Sequence, residues 1–228
     1  DEAMAGMNLI NEQAADILLF TGDMVNYRYD EVEPWKGVLS GLDASYGKYS
    51  VLGNHDYGDY VRWKEDGDKE RNLEAMCQIQ EDMGFRLLRN QNEAIELGSD
   101  RIFLAGSENW GKGRFQKYGD IDKTLEGIPE EAFTVLMSHD PSHFDHKVVP
   151  HKKNVNLTLS GHTHGMQFGV EIPGFVKWSP VKFQYPKWAG LYDEGGQKLY
   201  VNRGFGFIGF PGRVGIWPEI TVISLHKA

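Results

Sequence analysis

Apolar runs of strand length alternate with helical patterns along the first half of the chain. Residues 1–15 and 73–83 carry apolar side chains at helical spacing, Pro34 is suited to open a helix between them, and Gly84 is suited to end the later one. The predicted strands are 17–21, 48–52, 86–97, 102–105, 133–137, 155–159, 199–201 and 220–225. Helices alternate with strands early and strands dominate later, which indicates a mixed α/β domain without a linker or an internal repeat.

Composition is that of an ordinary globular protein. The chain has 228 residues, of which 40% are hydrophobic and 25% are charged. The formal net charge of −9 argues against a dedicated nucleic-acid binder, which normally carries a basic surface. It does not exclude an anionic substrate, because bound metal cations can reverse the local field.

Four short polar blocks follow four of the predicted strands directly. An α/β sheet places its active-site loops at the ends of its strands, so we expect these blocks to meet at one site. The blocks are Gly22-Asp23-Met24-Val25-Asn26, Gly53-Asn54-His55-Asp56, Ser138-His139-Asp140 and Gly161-His162-Thr163-His164-Gly165.

The side chains in these blocks suit a pair of divalent metals. Two metals roughly 3.5–4 Å apart can lower the pKa of a shared water, orient it and hold phosphoryl oxygens. A carboxylate can bridge such a pair, while imidazoles and an amide oxygen fill the remaining positions. Thiolates are absent from the set, which favours Mn, Fe, Zn or similar metals over a structural zinc site. The candidate ligands are Asp23, Asn54, His139, His162 and His164.

In order and spacing, the four blocks resemble the calcineurin-like metallophosphoesterase superfamily. That family's pattern is D-x-H, G-D-x-x-[DN], G-N-H-[DE], a [GS]-H block and G-H-x-H, and residues 22–165 match the last four. The resemblance implies a four-layer α-β-β-α sandwich with two facing mixed sheets. It also implies a hydrolase of phosphoester or pyrophosphate bonds in which a metal-bound hydroxide is the nucleophile.

The resemblance assigns roles by position. Asp23 matches the bridging ligand and His164 a ligand of the first metal, while Asn54, His139 and His162 match ligands of the second.

A general acid is implied in the same way. His55 matches the histidine that contacts the phosphate and protonates the leaving oxygen, and Asp56 would orient or charge-stabilise its imidazole. Arg203 is a weaker candidate for a phosphate contact, with a structural salt link as the alternative. The sequence Gly-Phe-Gly-Phe-Ile-Gly at 204–209 matches the dinucleotide fingerprint formally, but Pro211 and Gly212 follow where that motif needs a helix.

The family's D-x-H block has no counterpart before Asp23. We therefore expect residues 1–228 to be a single metallophosphoesterase catalytic domain that is truncated at its N-terminus, so that the first strand and this block are absent. A divergent domain that naturally lacks the block is the alternative.

An aromatic segment at 168–188 suggests contact with lipid. Trp, Tyr and Lys suit the headgroup region of a bilayer, although a loop packed on the sheet would have a similar composition. The segment's position is similar to that in a bacterial, membrane-associated branch of the family, some members of which cleave the pyrophosphate of UDP-2,3-diacylglucosamine. We expect a phosphorylated small molecule or a lipid-linked pyrophosphate as substrate, no specific nucleic acid, and membrane association of the full-length protein.

Two other functions fit part of the pattern. A non-catalytic binding module could keep the fold and part of the site, and a nucleotide phosphodiesterase or nuclease could use the same ligands. The negative net charge of the chain argues against long polyanions as substrates.

The ligand set predicts that the two metal sites of the chain as given differ in affinity. One site has four ligands, whereas the other keeps only Asp23 and His164, so we expect one ion held tightly and the other weakly. Elemental analysis after gel filtration would test this expectation, and two tightly held ions per chain would contradict it.

Overall fold

The described residues form eleven strands and four α-helices. The computed structural model describes residues 2–113, 115–172 and 174–227, with side chains from Met4 onward. The helices are α1 (Glu2–Glu12), α2 (Lys36–Ser40), α3 (Asp68–Asp82) and α4 (Ile121–Thr124). The strands are β1 (Leu18–Phe20), β2 (Lys48–Ser50), β3 (Phe85–Leu87), β4 (Gln91–Leu97), β5 (Asp100–Gly106), β6 (Thr134–Met137), β7 (Leu157–Ser160), β8 (Val170–Ile172), β9 (Val176–Trp178), β10 (Gly190–Glu194) and β11 (Gln197–Val201).

Two sheets carry the core. The first has the order β1-β2-β3 and is parallel, with α2 and α3 as its crossover helices. The second has the order β10-β11-β7-β6-β5-β4, in which β11, β7, β6 and β5 run parallel and a hairpin partner closes each edge. A separate hairpin, β8-β9, lies outside both sheets.

Side-chain alternation in the strands produces the layers. Val135 and Met137 of β6 pack into the cluster between the two sheets, together with Tyr49 and Val51 from the first sheet. Leu136 points the opposite way, into a second cluster under α4. A third cluster buries Met76 and other residues of α3 on the outer face of the first sheet. The result is the expected α/β arrangement of four layers, α-β-β-α, in which the six-stranded sheet is mixed and the three-stranded sheet is parallel.

Two of the predicted strands differ from those in the structure. The stretch predicted as one strand, 86–97, is divided between the two sheets, because Asn90 takes a left-handed conformation (φ 52°) that turns the chain from β3 into β4. The predicted strand 220–225 is wrong, since no described strand pairs with it and Val222, Ile223 and Leu225 remain exposed. Most helix ends differ by a few residues, although Gly84 ends α3 as predicted, with a φ of 84°.

No helix among the described ranges is both long enough and apolar enough to span a bilayer.

The packing between the sheets predicts the effect of adding one methyl group. A Cβ on Gly106 would collide with Cβ of Leu88 and lie 2.9 Å from Cγ1 of Val51, so Gly106→Ala should lower the free energy of unfolding by about 1–3 kcal/mol. Gly37→Ala is the matched control, because a Cβ on this α2 residue meets nothing within 4 Å. Urea denaturation would measure both, and equal midpoints for the two variants would contradict the packing described.

Candidate metal centre

The four polar blocks meet at the carboxyl ends of parallel strands. Asp23 follows β1 and Asn54 follows β2 in the first sheet, while His139 follows β6 and His162 follows β7 in the second. Because parallel strands end at the same edge of a sheet, each pair of loops is adjacent, and the facing sheets bring the two pairs together.

Four potential ligand atoms surround one point. Nε2 of His139 lies 3.0 Å from Oδ2 of Asp23, 3.1 Å from Oδ1 of Asn54 and 3.2 Å from Nδ1 of His162. Asp23, His139 and His162 also form a three-residue group with metal-binding spacing among the described residues. Carboxylate, amide and imidazole donors at these separations fit a small divalent cation.

Backbone carbonyls and a tyrosine orient the two imidazoles. Nδ1–H of His139 donates to the carbonyl of Thr21 at 2.7 Å, which leaves Nε2 free to bind a metal. Nε2 of His162 lies 2.7 Å from Oη of Tyr185, so that its Nδ1 faces His139. Oη of Tyr185 in turn donates to Oδ2 of Asp140 at 3.4 Å. His162 is therefore supported by a buried tyrosine and a buried carboxylate.

The ligand-bearing loops have unusual backbone conformations. Asp23, His162 and His164 have φ values of 59°, 67° and 48°, in the left-handed region that non-glycine residues seldom occupy. Gly22 (φ 94°) and Gly53 are needed beside them, because a Cβ on either would lie 2.5 Å from a backbone nitrogen of the opposite loop. Strain of this kind is common at functional sites, where the surrounding structure compensates for it.

Electrostatics favour a cation at this point. Burial alone would favour the neutral forms, but the charge of His139 holds the pKa of Asp23 below its ordinary value, and Asp23 raises the pKa of His139 to about 9. The pair thus shares a proton in a position that a divalent cation would take. Burial lowers the pKa of His162 to about 4, which keeps that imidazole neutral and able to act as a ligand.

His164 lies beside this cluster and is not one of its members. Burial lowers the pKa of its ring to about 4, and its buried Nδ1 has no hydrogen-bond partner among the described residues. A buried neutral imidazole with a free nitrogen suits a metal ligand, because an unsatisfied polar atom otherwise costs stability. Its assignment to a first metal stays a prediction.

The carboxylate of Asp56 makes no hydrogen bond to the ring of His55 among the described residues, and the orienting or charge-stabilising role predicted for it stays a prediction. Its two carboxylate oxygens accept the backbone N–H groups of Gly53 (2.8 Å), Asp23 (2.9 Å), Met24 (2.8 Å) and, at 3.4 Å, Val25. Burial and the charge of Asp23 raise the pKa of Asp56 to about 6, against these hydrogen bonds.

The carbonyl of Asn26 holds His55 instead. Because this oxygen can only accept, Nδ1–H of His55 donates to it at 2.7 Å, and Nε2 is left as the nitrogen that can exchange a proton with substrate. The ring also packs against Tyr60, with centroids 4.6 Å apart. His55 is only half-buried, so a ligand can reach it.

Two further residues make contacts within the protein. His143 is fully buried, with Nδ1 2.8 Å from Oγ of Ser138 and its ring stacked on Trp110. Arg203 forms ion pairs with Glu171 and Glu219, which is the structural salt link that sequence reasoning kept as an alternative. A phosphate contact by Arg203 stays a prediction.

The arrangement of strand ends, ligand atoms and facing sheets defines a metal-dependent hydrolase site, and the comparisons agree. Residues 2–166 match the calcineurin-like phosphoesterase family, and the chain belongs to that family.

Similar curated proteins carry the metallophosphoesterase class in their names. The uncharacterized metallophosphoesterase YkuE of Bacillus subtilis (strain 168) is 31% identical, over 96% of this chain and 70% of that protein. A transmembrane protein with metallophosphoesterase domain from Danio rerio is 28% identical, over 97% of this chain and 48% of that protein. An uncharacterized metallophosphoesterase of Aquifex aeolicus (strain VF5) is 28% identical, over 92% of this chain and 72% of that protein.

Tyr185 was not foreseen from the sequence, and its contacts predict a role in metal binding. Tyr185→Phe removes the hydroxyl beside Nε2 of His162, so the affinity for Mn²⁺ should fall about 10–100-fold while the ligand set stays intact. Titration calorimetry with Mn²⁺ would measure the change. Tyr49→Phe is the control, because it also removes a hydroxyl from a buried tyrosine, in the core between the sheets. Equal affinities in the two variants would contradict the role of Tyr185.

Proposed function

We propose that the chain hydrolyses a phosphoester or pyrophosphate bond with two divalent metals, and that His55 protonates the leaving oxygen. Metal-dependent phosphoester hydrolysis is the activity that membership of the family implies. The observation that carries the proposal is the convergence of Asp23, Asn54, His139 and His162 at one point beside a half-buried His55.

The residues divide between two metal positions. Asp23, Asn54, His139 and His162 would hold one ion, and His164 with the remaining oxygen of Asp23 would contribute to the second. Bound divalent metals supply an acidified water and neutralise the charge on the phosphoryl oxygens. Mn, Fe or Zn suits this donor set, because oxygen and imidazole ligands are combined without thiolate.

Oδ1 of Asp23 contacts the residue that we propose as the general acid. It accepts the backbone N–H of His55 at 2.9 Å, so the residue that would hold the metals also fixes the backbone of the proposed general acid. This contact couples the His55 backbone to the ligand loop, while the carbonyl of Asn26 fixes the ring. The proton would leave from Nε2, the ring nitrogen that faces away from Asn26.

The substrate class that we propose is a phosphorylated small molecule or a lipid-linked pyrophosphate. The net charge of −9 disfavours long polyanions, which are held by extended basic surfaces. The Danio rerio relative is a transmembrane protein, and this supports, for the whole protein, a place of action at a membrane.

Replacing the proposed acid should affect substrates according to their leaving groups. With Mn²⁺ present, His55→Ala in the full-length protein should lower turnover of an alkyl phosphodiester about 10²–10⁴-fold, because a poor leaving group needs the proton. The loss on a nitrophenyl phosphodiester should be much smaller, and bound metal should stay nearly unchanged.

His146→Ala is the matched control, since this exposed histidine bonds the carbonyl of Ser142, lies beside the ring of Trp110 and belongs to none of the four polar blocks. Equal losses on the two substrates would refute the general-acid role. No turnover of either substrate by the unaltered protein with any of Mn, Fe or Zn would refute the proposed activity and favour a non-catalytic binding module.

A further inference from the structure

The β8-β9 hairpin has its apolar side chains turned to solvent. Val170 pairs with Trp178 and Ile172 with Val176, and all four side chains are at least one-third exposed. The opposite side of the same hairpin carries the polar residue Glu171, which is ion-paired with Arg203. A hairpin at a solvent-exposed surface normally shows the reverse pattern, with its apolar side chains packed on the core and its polar side chains in water.

A second loop extends this apolar area. The buried side chain of Gln167, at the start of the hairpin segment, donates to the carbonyls of Phe210 and Gly212 and accepts the N–H of Ile208. Residues 208–212 are thereby fixed beside the hairpin, with Phe210 exposed. The apolar surface, as we define it, comprises Val170, Ile172, Phe175, Phe183, Phe210 and Trp217.

The most protruding side chains of the apolar surface are aromatic. Phe175, at the turn of the hairpin, is 87% exposed, and Phe183, in the following turn, is 80% exposed, with the ammonium of Lys182 over its ring. Single exposed apolar residues are common, but a concentration of them on the hairpin and the segments next to it marks an interaction site. Aromatic rings with an adjacent lysine are suited to the headgroup region of a bilayer.

Charge is distributed unevenly along the chain, and the part that carries the apolar surface is the positive one. Residues 164–228 carry seven Lys or Arg and four Asp or Glu, a net +3, whereas residues 1–163 carry −12. Glu171, on the opposite side of the hairpin, and Glu219 are both ion-paired with Arg203. An anionic membrane would therefore attract this part of the molecule and repel the rest.

We propose that the apolar surface docks on a lipid bilayer that contains anionic headgroups, with Phe175 and Phe183 inserted. The surface begins at Val170, six residues after His164. Docking would therefore bring the metal centre close to the headgroups, which, if the proposed function holds, makes an amphiphilic phosphoester of the membrane the substrate class.

Binding to vesicles tests the docking separately from catalysis. The full-chain protein should sediment with phosphatidylcholine vesicles that contain phosphatidylglycerol, more weakly with phosphatidylcholine alone, and less at high salt. The double variant Phe175→Ser with Phe183→Ser should bind at least tenfold more weakly, because two large apolar side chains no longer leave water. Tyr46→Ser, which removes an exposed aromatic from outside the surface, should bind as the unaltered protein does.

Several results would overturn the proposal. These are no sedimentation with either type of vesicle, binding that the double variant leaves unchanged, or a dimer in lipid-free solution that only the double variant converts to monomer. The last result would assign the apolar surface to a second copy of the chain. Turnover of a soluble nitrophenyl phosphodiester, measured on the same variants, reports on the proposed function, so failure of docking and failure of catalysis are distinguishable.

Discussion

The metal centre depends on one buried carboxylate that binds no metal in the proposed arrangement. Asp56 accepts four backbone N–H groups, from Gly53 in its own loop and from Asp23, Met24 and Val25 in the neighbouring one. These loops follow adjacent parallel strands, and without a shared acceptor their N–H groups would be buried without partners. The carboxylate therefore fixes the separation of Asp23 from Asn54, and the contacts with the second sheet build on that separation.

The second constraint joins the two sheets. Asp23 comes from the first sheet and His139 from the second, and their side chains meet at 3.0 Å. The carbonyl of Thr21, which lies at the end of β1, also accepts from the ring of His139. The site thus lies across the junction of the layers, and a shift of either sheet would separate the ligands. A divalent cation at this point would hold the layers together as well as take part in chemistry.

The ligands that directly follow strands were the part of this site that could be predicted from the sequence. Asp23, Asn54, His139 and His162 each follow an apolar run, and parallel pairing brings such positions to one edge. The roles of Asp56 and Tyr185 could not be read in that way, because they depend on which backbone groups and which ring nitrogen a side chain reaches. Tyr185 lies in an irregular segment, where no periodicity relates it to His162. The same limit explains the prediction of a strand at 220–225, since local pattern cannot show whether a pairing partner exists.

The left-handed backbone at Asp23 restricts which substitutions can isolate the role of its charge. A φ of 59° is tolerated best by glycine, and after it by asparagine and aspartate, whose short polar side chains can bond locally. Replacement by alanine or glutamate would change the loop conformation together with the carboxylate. Asparagine keeps the shape, the length and the backbone preference while it removes the negative charge. Among mutants at this ligand, only the asparagine variant separates electrostatics from geometry, and the same reasoning limits the sequence variation that this loop can accumulate without losing the site.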